Sequence, residues 1–182
     1  MKIFKFLTKS ALCFAVSTGF LALPANAQKK AVNLTDPEIA SIAVTANQID
    51  IDYAKIAEKK SKDANVINFA QTMAKDHQSV IDQAVALVTK LGVTPKDNAT
   101  SKSLKAGEAK TVKLLNSKSG KAFDKAYIDN EVGYHKAVIK EVETALIPDA
   151  QNAELKSLLQ NVLPVLKSHL SHAEMVQKEV NK

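Results

Sequence analysis

The sequence predicts an all-α protein, a bundle of four long helices in which a long, partly helical crossover connects the second helix to the third. Three observations support this fold class. The chain of 182 residues contains only 5 glycines and 5 prolines. Its apolar residues recur every three or four positions in four long segments, which is the spacing of one buried helix face. The stretch 93–120, between the second and third segments, is long enough to return the chain along the whole bundle.

The N-terminal residues 1–27 have the pattern of a secretory signal peptide. Lysines flank the start of an apolar stretch at 11–23, and the sequence Ala-Asn-Ala at 25–27 is a typical cleavage site. The apolar stretch is shorter than the roughly 20 residues that a membrane span needs. We therefore expect a soluble periplasmic protein with a short N-terminal segment, 28–35, followed by one helical domain, 36–182.

The first two helices begin and end at recognisable signals. Thr35 and Glu38 have the spacing of a capping box, which predicts a helix over about 36–60. Asp63 is a suitable N-cap for a second helix, and Gly92 is a suitable residue to end it. The short link between the two predicts an antiparallel hairpin. The positions predicted to face the core are Ile39, Ile42, Ala46, Ile49, Tyr53 and Ile56 in the first helix and Val66, Phe69, Ala70, Met73, Val80, Ile81, Ala84, Leu87, Val88 and Leu91 in the second.

The second half of the chain predicts two more long helices after the crossover. We expect a helix over 121–146 that Pro148 stops, and a helix over 152–180 that Pro164 kinks. A hairpin, a long crossover and a second hairpin form the ferritin-like variant of the four-helix bundle. The predicted core positions are Leu104, Val112 and Leu115 in the crossover, Phe123, Tyr127, Tyr134, Val138, Val142 and Ala145 in the third helix, and Leu155, Leu158, Leu159, Val162, Val165, Leu166, Val176 and Val180 in the fourth.

Three histidines fall at similar heights in the predicted bundle. His77 is at the midpoint of the second helix, and His135 and His169 lie within a few residues of the midpoints of the third and fourth. Neutral imidazole is the commonest protein ligand for transition ions, so the three residues form a candidate site for copper, zinc or nickel. The only cysteine, Cys13, lies in the signal peptide, which excludes a cysteine zinc site.

The methionines favour copper among these ions. Met73 lies one turn before the histidine of the second helix, and Met175 lies three residues after His172. A thioether combined with imidazole favours Cu(I). Met73 is therefore a further candidate ligand, and His172, Met175 and Glu131 are secondary ones. Alternatively, Glu131 holds His135 as a hydrogen-bond partner and the histidines are structural, because buried polar groups are normally paired within the protein.

No enzymatic activity is predicted. A ferritin-type di-iron centre needs Glu-x-x-His pairs, which this sequence does not contain, and it has no glycine-rich phosphate loop. Two functions remain. The first is a binding protein that acts in envelope maintenance or stress tolerance through its surface or a partner. The second is a protein that sequesters or carries a transition metal, which requires the three imidazoles to converge on one point.

The crossover region is rich in lysine. Residues 96–125 contain eight lysines and three acids, and all 25 basic residues of the chain are lysines. This charge predicts an anionic envelope surface as a possible partner. Nucleic acid is not predicted, because there is no arginine for base contacts and the signal peptide directs export. The eight lysines are Lys96, Lys102, Lys105, Lys110, Lys113, Lys118, Lys121 and Lys125.

Three separated motifs resemble those of a known family. They are FAQTMAKDH at 69–77, AFDKAY at 122–127 followed by HKAV at 135–138, and LPVLKSHL at 163–170. In this order they resemble an exported bacterial family of unknown function that is often labelled a predicted outer membrane protein. The resemblance covers nearly the whole mature chain. It implies a ferritin-like helical fold and a location in the envelope, and it brings no established activity.

Overall fold

The computed structural model describes residues 33–182, and within this range it contains helices and no strand. The predicted all-α fold class is thereby confirmed. The predicted signal peptide lies outside the described residues. Five helices of 18 residues or more form the structure: α1 Asp36–Lys60, α2 Ala64–Lys90, α3 Ala99–Asn116, α4 Gly120–Glu141 and α5 Ala153–Val180.

The helix ends follow the local chemistry of the sequence. At the start of α1, the Glu38 carboxylate accepts hydrogen bonds from the backbone N–H of Thr35 at 3.0 Å and from its hydroxyl at 2.7 Å. At the start of α2, the Asp63 carboxylate accepts from the backbone N–H groups of Asn65 and Val66. Gly92 follows α2 with a φ of 63°, a left-handed conformation that glycine adopts without a steric penalty. These predicted signals are therefore confirmed.

The stretch 93–120 is partly helical, as predicted, since α3 spans Ala99–Asn116. Asn98 caps the start of this helix, because its side chain accepts from the backbone N–H of Ser101 at 3.0 Å while the Ser101 hydroxyl accepts from the N–H of Asn98. Leu115 is buried and Leu104 and Val112 are partly buried, as predicted. α3 packs along α1.

The end of α4 differs from the sequence prediction. A continuous helix to residue 146 was expected, but the α-helix ends at Glu141 and continues as the π-helical turn Val142–Leu146 and the short helix Ile147–Asp149. The backbone N–H of Ile147 bonds to the carbonyl of Val142, five residues back. Pro148 lies in the short helix, so the helical run ends at Asp149, one residue after the proline.

α5 contains Pro164 in its interior and is helical from residue 153 to residue 180. Pro164 is exposed, as is Gln160, whose carbonyl would receive a hydrogen bond if another residue replaced the proline. Val165 was predicted to face the core, but it is exposed, and Leu166 is the buried residue at this turn. The predicted kink stays a prediction.

Two apolar clusters form the core, one towards each end of the long helices. α1 packs against α2, α4 packs against α5, and α2 also contacts α5. The aromatic core cluster comprises Ile49, Tyr53, Ala54, Ala57, Val66, Phe69, Ala70, Met73, Leu115, Phe123, Tyr127, Ile128, Val132, Ala173 and Val176. The aliphatic core cluster comprises Ile39, Ile42, Ile139, Val142, Leu146, Ala150, Leu155, Leu159 and Leu166. The predicted site histidines are His77 on α2, His135 on α4 and His169 on α5. Along each of these helices, the histidine lies between residues that belong to or pack against the aromatic core cluster and residues that belong to or pack against the aliphatic core cluster.

No helix within residues 33–182 is both long enough and apolar enough to cross a membrane.

Candidate metal centre

The three predicted histidines converge inside the protein. One ring nitrogen of each of His77, His135 and His169 lies within 4.8 Å of the nitrogens of the other two. The ring centroids are 5.6 Å apart for His77 and His135, 5.2 Å for His77 and His169, and 5.6 Å for His135 and His169. The rings are 4%, 1% and 5% exposed, respectively. Packing of α2, α4 and α5 therefore brings together residues that are distant in sequence.

Each histidine ring is held through one of its nitrogens by an oxygen acceptor. His77 Nδ1 is 2.7 Å from Oδ1 of Asn47, whose amide nitrogen donates to the carbonyl of Ala43. His135 Nδ1 is 3.0 Å from the main-chain carbonyl of Glu131, and His169 Nε2 is 3.0 Å from the carboxylate of Asp76. Because these oxygens accept, the nitrogens facing them must carry the protons. The three hydrogen bonds thus fix the tautomer of each ring.

The other nitrogen of each ring is buried and has no hydrogen-bond partner among residues 33–182, a state called unpaired below. These nitrogens are Nε2 of His77, Nε2 of His135 and Nδ1 of His169. With the protons on the opposite side of each ring, all three carry a free lone pair. An outward N–H held by an oxygen and an inward lone pair is the arrangement of histidines that bind metal ions.

Asp50 of α1 adds a carboxylate to the histidines. It is 0% exposed, and both of its oxygens are unpaired within the described part of the chain. Its Oδ2 atom lies 3.4 Å from Nε2 of His77 and 3.7 Å from Nε2 of His135. An oxygen facing two lone pairs at these distances needs a proton or a cation between them. The Asp50 carboxylate is therefore the fourth candidate ligand.

Sequence reasoning missed Asp50, although the sequence contains a signal. Asp50 lies four residues after Ala46 and three before Tyr53, so it falls on the apolar stripe of α1. An acid at a predicted core position indicates a functional group, because an unpaired buried charge is costly. The two side-chain oxygens that hold the rings, from Asn47 and Asp76, were missed as well.

Glu131 lies beside the cluster and is fully buried. Its main-chain carbonyl, rather than its carboxyl group, is the hydrogen-bond partner of His135, and its Oε2 atom is 3.6 Å from His135 Nδ1. Oxygens of Asp50 and Glu131 and a ring nitrogen of His135 also lie within 4.8 Å of one another. Glu131 thus adds a second acid to the site, on the side of the His135 ring that carries the proton.

Burial favours the uncharged form of every group in the cluster. Loss of water raises the pKa of Asp50 to about 8 and raises the pKa of Glu131 well above its ordinary range. Loss of water, with repulsion from the neighbouring imidazoles, lowers the pKa of His77 to about 2 and the pKa of His135 to about 4. Burial also lowers the pKa of His169. At neutral pH the histidines are therefore neutral, the form in which imidazole binds metal.

Three further candidate ligands remain, Met73, His172 and Met175. Met73 is buried in the aromatic core cluster, one turn before His77. His172 is partly buried, with its ring centroid 5.1 Å from that of Phe69. Met175 is 55% exposed at the surface. The buried centre therefore consists of imidazoles and carboxylates, without the exposed thioether.

The lysines of the crossover region lie at the surface. Seven of the eight are exposed and Lys118 is partly buried. Lys105 pairs with Asp97 at 3.2 Å, and Lys125 pairs with Asp129 at 3.0 Å. Exposed pairs of this kind contribute little to stability, about 0–1 kcal/mol each.

A cavity of about 220 Å³ adjoins the cluster. Asp50, His77 and His135 line the cavity, whereas His169 does not. Most of the remaining lining consists of aliphatic side chains, many of them from the aliphatic core cluster. The cavity reaches the surface, because the exposed residue Ala137 and the partly exposed residue Leu158 are part of its lining.

Fold and site together define an all-helical protein with a buried cluster of three histidines and two carboxyl groups. The chain belongs to the domain of unknown function family DUF4142, which matches residues 21–176. The predicted membership of a family of unknown function is thus confirmed, while the ferritin-like fold and the outer membrane label stay predictions. No curated protein and no solved structure matches the chain.

Proposed function

We propose that this protein binds one divalent transition-metal ion and sequesters or carries it. The ligands are Nε2 of His77, Nε2 of His135, Nδ1 of His169 and the carboxylate of Asp50. The observation that carries the proposal is that each of these four side chains has a buried, unpaired donor atom, while the three imidazoles converge within 4.8 Å and Asp50 lies beside two of them. Groups buried in this way destabilise a protein unless something binds them.

The distances suit a metal ion after a small contraction. Ligand atoms of a tetrahedral site with bonds of about 2.0–2.1 Å are about 3.3 Å apart. The two contacts of the Asp50 oxygen, at 3.4 and 3.7 Å, are already close to this value. The histidine nitrogens, within 4.8 Å of one another, would move inward by about 1 Å.

The ligand types favour Zn²⁺. Three imidazoles and one carboxylate form a four-ligand set of the kind that zinc binds in proteins. Cu(I) prefers thiolate and thioether ligands, so the carboxylate at the centre argues against the copper(I) site that the methionines suggested. Cu²⁺ and Ni²⁺ also accept imidazole and carboxylate, and metal analysis distinguishes them from zinc.

We also propose that the protein works in the periplasm as a ferritin-like four-helix bundle, with α3 as the crossover. The packing of α1 on α2 and of α4 on α5, with α3 along α1, supports this architecture. The sequence favoured surface or partner binding in envelope maintenance over metal binding. We now place metal binding first, because the histidine cluster contains converging, unpaired groups and the exposed lysines of residues 96–125 do not.

The first test is metal analysis of purified protein by mass spectrometry, followed by titration of metal-free protein with Zn²⁺ and Co²⁺. We expect about one ion per chain. The absorption of bound Co²⁺ in the visible range reports a four-coordinate site with nitrogen and oxygen ligands. The variants His77→Ala, His135→Ala, His169→Ala and Asp50→Asn should each weaken binding by 100-fold or more, because each removes one of four ligands.

The matched control is His172→Ala, which removes a histidine of α5 that lies against Phe69. This variant should bind as tightly as the unchanged protein. Protein that is metal-free as purified and that also fails to bind added Zn²⁺, Co²⁺, Cu²⁺ or Ni²⁺ would overturn the proposal. Equal loss of binding in His172→Ala would show that the effect is not specific to the cluster.

A further inference from the structure

The cavity beside the cluster has two chemically different parts. Along most of its length it is lined by aliphatic side chains such as Ala84, Leu158 and Val162. At one end it is lined by Asp50, His77 and His135, three of the four proposed metal ligands. Thr100 and the partly exposed Glu141 also contribute to the lining. An apolar cavity with a few convergent polar groups at one end is the usual form of a small-molecule site.

The lining of the cavity indicates from which side a bound ion would be accessible. His169 is the one proposed ligand that does not line the cavity, whereas His77, His135 and Asp50 do. A molecule in the cavity would therefore reach a bound ion from the side of these three residues. Some zinc sites in proteins expand from four to five ligands. The arrangement therefore allows a donor atom of a bound molecule to join the coordination.

The size of the cavity limits the molecule that it can hold. An apolar cavity of about 150 Å³ stays dry and binds benzene, so 220 Å³ has room for about eight to ten carbon atoms. Ala40 and Asp50 both line the cavity and are ten positions apart on α1, which corresponds to about 15 Å. This length suits an extended chain better than a single ring.

The charge of the site selects the polar group of the ligand. A divalent ion held by three neutral imidazoles and one carboxylate retains a net single positive charge. A monoanion neutralises that charge, and a carboxylate oxygen is an accepted ligand of such ions. A second positive group would be unfavourable in this buried position.

We propose that the cavity binds a monocarboxylate with an unbranched apolar chain of about eight to ten carbons, whose carboxylate coordinates the ion held by His77, His135, His169 and Asp50. This inference rests on the metal site proposed above. The protein would then carry the ion and the carboxylate together.

The test uses Co²⁺-loaded protein titrated with octanoate and with acetate, which has the same carboxylate and almost no chain. Octanoate should change the visible spectrum of the cobalt and bind at least about 100-fold more tightly than acetate, because its chain buries several more methylene groups. In metal-free protein, calorimetry should detect octanoate binding that is at least about 10-fold weaker, since the coordinate bond is missing.

Matched variants test whether the cavity holds the chain. Ala84→Phe places a large ring in the cavity and should abolish the preference for octanoate while the cobalt spectrum without carboxylate stays the same. Ala86→Phe makes the same change at an exposed position of α2 and should change neither the preference for octanoate nor the cobalt spectrum. Val162→Phe, at a partly exposed lining position, replaces Ala84→Phe if that variant fails to fold.

The outcomes separate the two proposals. If the protein binds neither Co²⁺ nor Zn²⁺, Cu²⁺ or Ni²⁺, both proposals are overturned. If cobalt binds normally but octanoate and acetate bind equally, only the present inference is overturned. It is also overturned if octanoate binds equally well without the metal, or if Ala84→Phe retains the preference for octanoate.

Discussion

The two core clusters of this protein are packed very differently. The aromatic core cluster contains large rings that are fully buried, among them Tyr53, Phe69 and Tyr127, with ring-to-ring contacts such as the one of 6.1 Å between Phe69 and Tyr127. The aliphatic core cluster surrounds a cavity of about 220 Å³. Dense packing is the normal state of a protein interior, so the cavity in the aliphatic core cluster needs an explanation.

The difference in packing indicates that the two core clusters have different roles. The aromatic core cluster holds the helices together, and the proposed metal ligands lie at its edge, where their positions are fixed by hydrogen bonds to Asn47, Glu131 and Asp76. The aliphatic core cluster is packed less densely, which leaves space beside those ligands. Loss of stability at a site of this kind is typical of functional positions.

The comparison is tested most directly by the same substitution in both clusters. Leu115→Ala in the aromatic core cluster should lower the free energy of unfolding by about 3–5 kcal/mol, because it opens a new void in a dense region. Leu159→Ala, beside the existing cavity, should cost about 2 kcal/mol, because part of that side chain already faces empty space. Urea unfolding of metal-free protein measures both values. Equal losses would show that the two clusters are packed alike.

The second prediction concerns Asp50 and pH in metal-free protein. Its pKa is raised from 3.8 to about 8 by burial, so between these values the folded protein holds a proton that the unfolded chain releases. The folded state therefore loses stability as the pH rises through this window. Asp50→Asn cannot titrate, so its stability relative to that of the unchanged protein should rise by 1 kcal/mol or more as the pH is raised from 5 to 8.

The control for this experiment is Asp82→Asn, at an exposed position of α2. Its stability relative to the unchanged protein should vary much less between pH 5 and 8. Saturating Zn²⁺ should reverse the result for Asp50→Asn, since the ion stabilises only a protein that binds it tightly. A difference between Asp50→Asn and the unchanged protein that is constant with pH would contradict the prediction.

Much of the fold was predictable because its signals are local. Thr35 with Glu38, Asp63 and Gly92 fix helix ends through contacts within a few residues, and counting residues along the helices placed His77, His135 and His169 at one level. The π-helical turn at Val142–Leu146 has no comparable local signal, since any of several hydrogen-bond patterns can precede Pro148.

The rest of the site depends on packing between helices. Asp50 became a candidate ligand only when α1 brought its carboxylate within 3.4 Å of His77. Asp76 precedes His77 in the sequence, yet it holds His169 of a different helix. The cavity could not be predicted at all, because its volume is what remains after the side chains of all five helices have packed.

The smallest effect is expected from a pair of tyrosines. The Tyr127 hydroxyl is buried and unpaired within residues 33–182, whereas the Tyr134 hydroxyl donates to the carbonyl of Ala46 at 2.9 Å. Tyr127→Phe should leave stability unchanged or raise it by about 1 kcal/mol, because it removes a polar group that has lost its water. Tyr134→Phe should lower stability by about 1 kcal/mol, because the Ala46 carbonyl loses its donor. If thermal unfolding shows that the two variants lose equal stability, the Tyr127 hydroxyl has a partner such as an ordered water. The aromatic core cluster would then contain buried water despite its dense packing.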